Sequence, residues 1–171
     1  MSLKPPVSDQ DHIQGNKDAI IELVEYGDYQ CPYCGDFYYV VKALQQHFGD
    51  NLKFVFRNFP LEMHPDALHA AIASEIAAKY DQFWSMHDKL YEHQNALSDT
   101  HLIAYAQQLG IDKQDFESDF SHKQITSKID SDIESGLRSG VNGTPSVYIN
   151  GQKYNGDYEF DALRDYLTKL L

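Results

Sequence analysis

The sequence predicts an α/β protein in which a βαβ unit and a ββα unit are separated by an all-helical insertion. The first third of the chain has a short apolar run, a segment with helical periodicity and an alternating run, whereas residues 63–136 show no strand pattern. Strand signals return afterwards, and an amphipathic helix follows them. A βαβ unit of this length implies parallel strands joined by a right-handed crossover. The predicted parts are a lead-in (1–18), an α/β domain (19–62 and 137–171) and a helical insertion (63–136).

The βαβ unit begins with the run Ala19–Tyr26, which is short, mostly apolar and suited to a buried strand. A helix is predicted over Pro32–Phe48, because apolar side chains recur there at helical spacing and Gly49 follows as a stop. The alternating run Leu52–Phe59 predicts the second strand. Residues 1–18 are polar and are predicted to form an extended lead-in.

Five helices are predicted next. Apolar residues at helical spacing mark the first over 68–76, the second over 83–90 and the fifth over 125–137, which Gly140 ends. Ser98-Asp99 caps the third, which continues to Gly110, and Asp112 and Asp115 begin a short fourth.

The ββα unit is marked by Asn150-Gly151, which stands between the short runs Ser146–Ile149 and Gln152–Tyr154. Asn-Gly between two strand-like runs is the strongest short hairpin signal. The amphipathic segment Phe160–Leu170 then predicts a terminal helix.

Composition excludes several classes of function. A chain of 171 residues suffices for one good hydrophobic core, and a net charge of −12 argues against nucleic-acid and anionic-membrane partners, which require a basic face. No stretch approaches the ~18 apolar residues of a membrane span. The first residues include no apolar signal-peptide core, so we expect a cytoplasmic location for the chain as given, or a periplasmic or other extracytoplasmic one if a leader has been removed.

The motif Cys31-Pro32-Tyr33-Cys34 contains the only two cysteines of the chain and stands at the start of the first predicted helix. Unpaired backbone N–H groups at a helix start favour a thiolate, which is the form that attacks disulfides. Two cysteines could also form half of a zinc site. However, the only histidines at a ligand-like spacing are His64 and His69, and both fall in the predicted insertion, so we predict no metal site. Pro32 suits an early helical position, where its missing N–H costs little.

The two thiols are predicted to differ. Cys31 leads the helix and is expected to be exposed, to have a lowered pKa and to act as the nucleophile. Cys34 lies one turn further on, is expected to be shielded, and would resolve the mixed disulfide formed at Cys31. Because Tyr33 adds no positive charge, the thiolate is expected to be stabilised mainly by backbone amides.

The chain resembles the DsbA-like thiol:disulfide oxidoreductases of the thioredoxin superfamily over nearly its whole length. The resemblance rests on the stretches Val24–Cys34 and Gly140–Ser146, with weaker support from Asp11–Gly15 and Ile149–Gly151. It implies the thioredoxin fold, βαβ…ββα, with an all-helical insertion domain.

The resemblance also implies roles for individual residues. Cys31 and Cys34 would form the redox pair, and Thr144 and Pro145 would form a cis-proline loop that binds an extended substrate segment beside Pro32 and Tyr33. Glu25 occupies the position at which the family often keeps a buried acid beneath the second cysteine, where a carboxylate could relay the Cys34 proton. The alternative without a catalytic role is that Glu25 faces outward from an exposed strand.

One departure concerns the direction of electron flow. Strongly oxidising periplasmic members of the family have Cys-Pro-His-Cys, and Tyr33 stands here in place of that histidine. The sequence therefore leaves oxidant or reductant character open.

The predicted function is thiol–disulfide exchange with protein or peptide thiols and disulfides, together with an unidentified redox partner and without a bound cofactor. Two alternatives remain open at this point: a protein-binding module switched by the redox state of the cysteines, and a glutathione-linked thiol transferase, which Cys-Pro-Tyr-Cys suggests.

Overall fold

The computed structural model describes all residues from Met1 to Leu171 and contains five strands and seven α-helices. The strands are β1 (His12–Gly15), β2 (Ile21–Gly27), β3 (Leu52–Asn58), β4 (Ser146–Ile149) and β5 (Gln152–Tyr154). The helices are α1 (Pro32–Phe48), α2 (Ala67–Lys79), α3 (Phe83–Glu92), α4 (Asp99–Gln108), α5 (Lys113–Asp119), α6 (Lys123–Ser139) and α7 (Phe160–Thr168). No helix of the structure is long and apolar enough to cross a membrane.

The strands form one mixed sheet in the order β1-β3-β2-β4-β5. Strands β2 and β3 are parallel, while β4 is antiparallel to β2 and β5 is antiparallel to β4. This topology confirms the predicted α/β architecture with its βαβ and ββα units. Strand β2 lies at the centre of the sheet, and almost all of its side chains are buried.

The lead-in contains a strand that the sequence analysis did not predict. Strand β1 pairs antiparallel with β3 and forms one edge of the sheet. Its four residues, His-Ile-Gln-Gly, lack an apolar alternation, so the sequence offers no strand signal there. Side chains hold it in place: Asp11 accepts hydrogen bonds from the buried Arg57 guanidinium at 2.8 and 3.0 Å, and the His12 ring stacks on Phe83.

The five helices between β3 and β4 pack against the sheet through a shared core. One hydrophobic cluster contains buried residues of α1, of β2 and β3, and of the helices α2 to α4. Helix α6 runs without a break across the predicted boundary between residues 136 and 137. The division into an α/β domain and an insertion at those positions stays a prediction.

The β4–β5 hairpin turns at the predicted dipeptide. Asn150 and Gly151 have φ angles of 47° and 82°, which place both residues in the left-handed region. This conformation is strained for most side chains, and it is the reason that Asn-Gly is favoured in two-residue hairpins. The hairpin fixes β4 beside β2, which brings residues 143–146 next to the start of α1.

Candidate active site

The two cysteines lie where β2 passes into α1. Cys31 is the N-cap residue of α1, Pro32 is at the first helical position, and Cys34 is in the first turn. Both thiols are free in this structure. The parallel β2–α1–β3 connection therefore places the motif at the carboxyl end of the central strand, as the sequence predicts.

Cys31 is less accessible than predicted. Only 4 % of its surface is exposed, whereas the sequence predicts an exposed thiol. The cause is the loop before β4, which comes close enough for the Cys31 Sγ to lie 3.7 Å from the carbonyl oxygen of Thr144. Cys34 is fully buried, which confirms its predicted shielding.

The pKa values of the two thiols are shifted in opposite directions. Hydrogen bonding from the Cys34 thiol is the main cause that lowers the pKa of Cys31 to about 5, with further contributions from the backbone N–H groups of Cys34 and Tyr33. Burial raises the pKa of Cys34 well above its ordinary value. The predicted lowering at Cys31 is thus confirmed, but the prediction that backbone amides dominate is wrong, because the second thiol contributes most.

Asp28 fixes the loop that presents Cys31. Its buried carboxylate accepts hydrogen bonds from the backbone N–H groups of Gln30 at 2.7 Å, Cys31 at 3.2 Å and Leu61 at 2.8 Å. The Nδ1 atom of His64 lies 2.8 Å from Oδ2 of the same carboxylate. The sequence predicts no site role for Asp28, although an Asp in the turn before a helix often caps backbone N–H groups in this way.

Gln94 attaches the insertion to the redox motif. Its side-chain amide donates hydrogen bonds of 2.9 Å to the backbone carbonyls of Tyr29 and Cys31. No local signal marks Gln94 in the sequence, because the contact joins residues more than 60 positions apart.

The loop from Gly143 to Ser146 faces the cysteines. The Thr144–Pro145 peptide bond is cis, which confirms the expected geometry of this loop. The Ser146 hydroxyl donates to the Gly143 carbonyl at 2.6 Å, and the Tyr158 hydroxyl accepts from the Val147 N–H at 3.1 Å. These bonds hold the loop at a fixed position beside Cys31.

A groove runs along this loop beside the exposed Tyr33 ring. Its walls combine apolar side chains with two carboxylates that form no ion pair within the structure. The residues that line it are Tyr33, Asp36, Phe37, Val40, Thr144, Pro145, Tyr158 and Glu159. The predicted substrate-binding residues Tyr33, Thr144 and Pro145 therefore meet on one surface, while Pro32 is exposed at the start of α1 next to it.

Glu25 lies in the central strand and is buried, which excludes the exposed position considered above. Its neighbours across the sheet are Phe56 in β3 and Val147 in β4, so it has no cation opposite it. Burial, together with the negative charge of Cys31, raises the pKa of Glu25 to about 8. The negative charge of Glu25 in turn contributes to the raised pKa of Cys34.

The histidines considered as metal ligands do not come together. His64 contacts Asp28, and His69 contacts Asp99 at 2.7 Å. No group of three or more His, Cys, Asp or Glu side chains is arranged to hold a metal ion.

Comparison with known proteins shows similarity over almost the whole chain. A protein-family model described as thioredoxin matches residues 7–169. A protein named Na(+)/H(+) antiporter NhaA 1, from Salinispora arenicola, is 37% identical over 170 residues, which are 98% of this chain and 26% of that protein. The Na(+)/H(+) antiporter NhaA of Herminiimonas arsenicoxydans is 39% identical over 160 residues, which are 93% of this chain and 25% of that protein. The chain thus spans about a quarter of the length of the curated relatives it matches.

Solved structures agree with the resemblance inferred from the motifs. The oxidised form of BdbD from Bacillus subtilis is similar with a TM-score of 0.84 and 26% identity, covering 96% of this chain and 95% of that one. The thiol-disulfide exchange protein alpha-DsbA2 from Wolbachia pipientis has the same fold, with a TM-score of 0.84 at 22% identity and coverage of 96% and 89%. The predicted similarity to DsbA-like proteins is confirmed.

Proposed function

The chain belongs to the thioredoxin family, and from this premise we propose that it is a thiol–disulfide oxidoreductase that exchanges disulfides with protein or peptide substrates through Cys31 and Cys34. The observation that carries the proposal is the asymmetry of the two thiols. Cys31 is nearly buried, lies beside the Thr144 carbonyl and has a pKa of about 5, whereas Cys34 is inaccessible and has a raised pKa. Such a pair separates the attacking thiol from the resolving thiol.

The reductive direction proceeds in two steps. The Cys31 thiolate attacks one sulfur of a substrate disulfide, so that a mixed disulfide forms and the other substrate sulfur leaves as a thiolate. The Cys34 thiol then loses its proton and attacks the Cys31 sulfur, which releases the second substrate thiolate. The protein ends with a Cys31–Cys34 disulfide, and two electrons have passed to the substrate. The oxidative direction is the reverse.

We propose that the Glu25 carboxylate accepts the Cys34 proton in the second step. Cys34 is buried away from solvent, and its raised pKa means that it needs a nearby base before it attacks. Glu25 lies close enough for its charge to act on Cys34, and a carboxyl group with a pKa of about 8 exchanges protons near neutral pH.

The substrate is proposed to lie as an extended segment in the groove. The Thr144 backbone offers hydrogen-bonding groups at its floor, in the manner of an added strand, while Phe37, Pro145 and Tyr158 supply apolar contacts. Asp36 and Glu159 add negative charge at the same place. This charge disfavours the anionic tripeptide glutathione and therefore favours a polypeptide substrate over the glutathione-linked alternative.

The direction of electron flow depends on how strongly the reduced form is stabilised. A lower pKa of the nucleophilic thiol stabilises the dithiol form and makes the disulfide more oxidising. The value of about 5 for Cys31 lies between the roughly 7 of thioredoxin and the roughly 3.5 of DsbA. We therefore propose an intermediate reduction potential, with direction set by the redox partner.

Replacing Cys34 with serine is expected to trap substrates. Without the resolving thiol, the mixed disulfide at Cys31 has no intramolecular route to release and accumulates. The measurement is non-reducing electrophoresis and mass spectrometry of Cys34→Ser after incubation with a purified disulfide-bonded protein.

The matched control is the double variant Cys31→Ser/Cys34→Ser, which has no thiol and should trap nothing. If Cys34→Ser forms no adduct with a substrate that the wild-type protein reduces, the assigned order of the two thiols is wrong. If the wild-type protein neither reduces nor oxidises any disulfide, the proposed function itself fails.

A further inference from the structure

Oε2 of Glu25 and the hydroxyl oxygen of Tyr91 are buried beside the redox site and have no hydrogen-bond partner in the structure. The Thr144 hydroxyl oxygen, in the cis-proline loop, is a third such atom. Buried polar atoms of native proteins are nearly always paired, so each such atom calls for an explanation. The proposed function accounts for Glu25 but gives no role to Tyr91.

Gly27 shows that these two atoms face the same point. A Cβ atom built on Gly27 would lie 2.7 Å from Oε2 of Glu25 and 2.8 Å from the Tyr91 hydroxyl. The two oxygens are therefore no farther apart than the sum of those distances. A direct hydrogen bond after a small side-chain rotation, or one bridging water molecule, spans that range. The same Cβ would lie 2.5 Å from the Phe56 ring, so only glycine at position 27 allows the two side chains to approach each other here.

Tyr91 is held in this position by its packing and not by its hydroxyl. It belongs to α3 of the helical insertion, and its ring packs against Tyr29, Tyr38 and Phe56 with centroid separations of 4.8, 5.4 and 6.2 Å. The residue is 3 % exposed. The ring thus fixes the direction of the hydroxyl independently of any hydrogen bond that the hydroxyl makes.

We propose that the Tyr91 hydroxyl donates a hydrogen bond to the Glu25 carboxylate across Gly27, directly or through one water molecule, and that Tyr91 is a positioning residue for the proton exchange at Cys34. The inference rests on the proposed function, because Glu25 matters to catalysis only if Cys34 exchanges its proton. A donor to the ionised carboxylate stabilises that form, whereas a neutral carboxyl needs the donor less. Tyr91 therefore keeps Glu25 ionisable despite its burial.

The other groups around Glu25 do not provide this donor in the structure. The strand neighbours on both sides are apolar, and Glu25 forms no ion pair. The titratable groups whose charges act on Glu25, or feel its charge, are Cys31, Cys34, Tyr29, Tyr91 and Tyr158. The hydroxyls of Tyr29 and Tyr158 already bond to His87 and to the Val147 N–H.

The test replaces Tyr91 with phenylalanine, which keeps the ring and removes only the hydroxyl. The Glu25 carboxyl is titrated by carbon-13 NMR of the reduced protein, and the rate of mixed-disulfide resolution is measured against pH. We expect the midpoint of the Glu25 titration to rise by about one pH unit, and resolution near neutral pH to slow by up to about tenfold. Tyr38→Phe is the matched control: its hydroxyl donates to Asp88 at 2.9 Å, and its loss should leave the Glu25 midpoint unchanged.

A double variant separates an effect through Glu25 from a structural one. In a Glu25→Gln background, Tyr91→Phe should leave the pH profile of resolution unchanged, because the group on which the hydroxyl acts is gone. An unchanged Glu25 midpoint in folded Tyr91→Phe would overturn the proposal, and so would an equal effect of Tyr91→Phe with and without Glu25. The NMR titration needs no turnover, so it tests this proposal even if the exchange activity itself proves absent.

Discussion

Replacing Cys31 with serine is expected to reduce disulfide exchange to the uncatalysed rate, a loss of at least about a thousandfold. Cys31 is the thiol that contacts the cis-proline loop, through the Thr144 carbonyl, and a serine hydroxyl is not ionised near neutral pH. Cys34 cannot take over, because it is fully buried and its pKa is raised. The measurement is turnover of a disulfide-bonded protein by substoichiometric enzyme with a dithiol or disulfide as the second substrate.

The same experiment separates an enzyme from a redox-switched binding module. A module would bind its partner in one redox state but would not turn over, so wild type and Cys31→Ser would show equally slow exchange. Substantial turnover by Cys31→Ser would contradict the assignment of the nucleophile. A circular dichroism melt of the variant checks that any loss is not a loss of folding.

Replacing Glu25 with glutamine is expected to stabilise the folded protein and to slow disulfide exchange. The unfolded chain loses the Glu25 proton near its ordinary pKa of 4.5, whereas the folded protein keeps it up to about pH 8. Between those values the folded state binds more protons, so the contribution of Glu25 to stability falls as pH rises. Glutamine does not titrate, so the variant should gain on the order of 1 to 3 kcal/mol near pH 8 and little near pH 4.

The same variant is expected to gain stability but to resolve the mixed disulfide more slowly. Without a proton acceptor beside Cys34, resolution of the mixed disulfide should slow by about a hundredfold and lose its dependence on a group titrating near pH 8. Glu22→Gln is the matched control in the same strand, because Glu22 is partly exposed and pairs with Lys53 at 3.0 Å. An unchanged pH–rate profile in Glu25→Gln would remove Glu25 from the mechanism.

Much of this site could be predicted because its residues carry local signals. Cys31 and Cys34 are marked by their spacing and by the helix that follows them, and Thr144-Pro145 is marked by its place before the Asn-Gly hairpin. The helix α1 begins and ends where its proline and glycine indicate. These features depend on neighbours in the sequence, so short-range patterns suffice.

The rest depends on contacts between distant parts of the chain. Gln94 and Tyr91 act on the site from the insertion, and nothing around them in the sequence distinguishes them from other polar or aromatic helix residues. The same holds for packing: Leu68 is a large apolar residue of α2, but it is 50% exposed, and alanines such as Ala70 and Ala73 fill the core instead. Helices that pack closely have small side chains at their contact. A pattern of large apolar residues does not reveal such a helix face.

The acidity of the two thiols in the wild-type protein tests the central claim most directly. The rate of alkylation of each cysteine in the reduced protein is measured against pH, with the modified residue identified by mass spectrometry. We expect Cys31 to react with a midpoint near pH 5 and Cys34 to remain unmodified in the folded protein. A midpoint for Cys31 near 9, or equal reactivity of the two thiols, would contradict it.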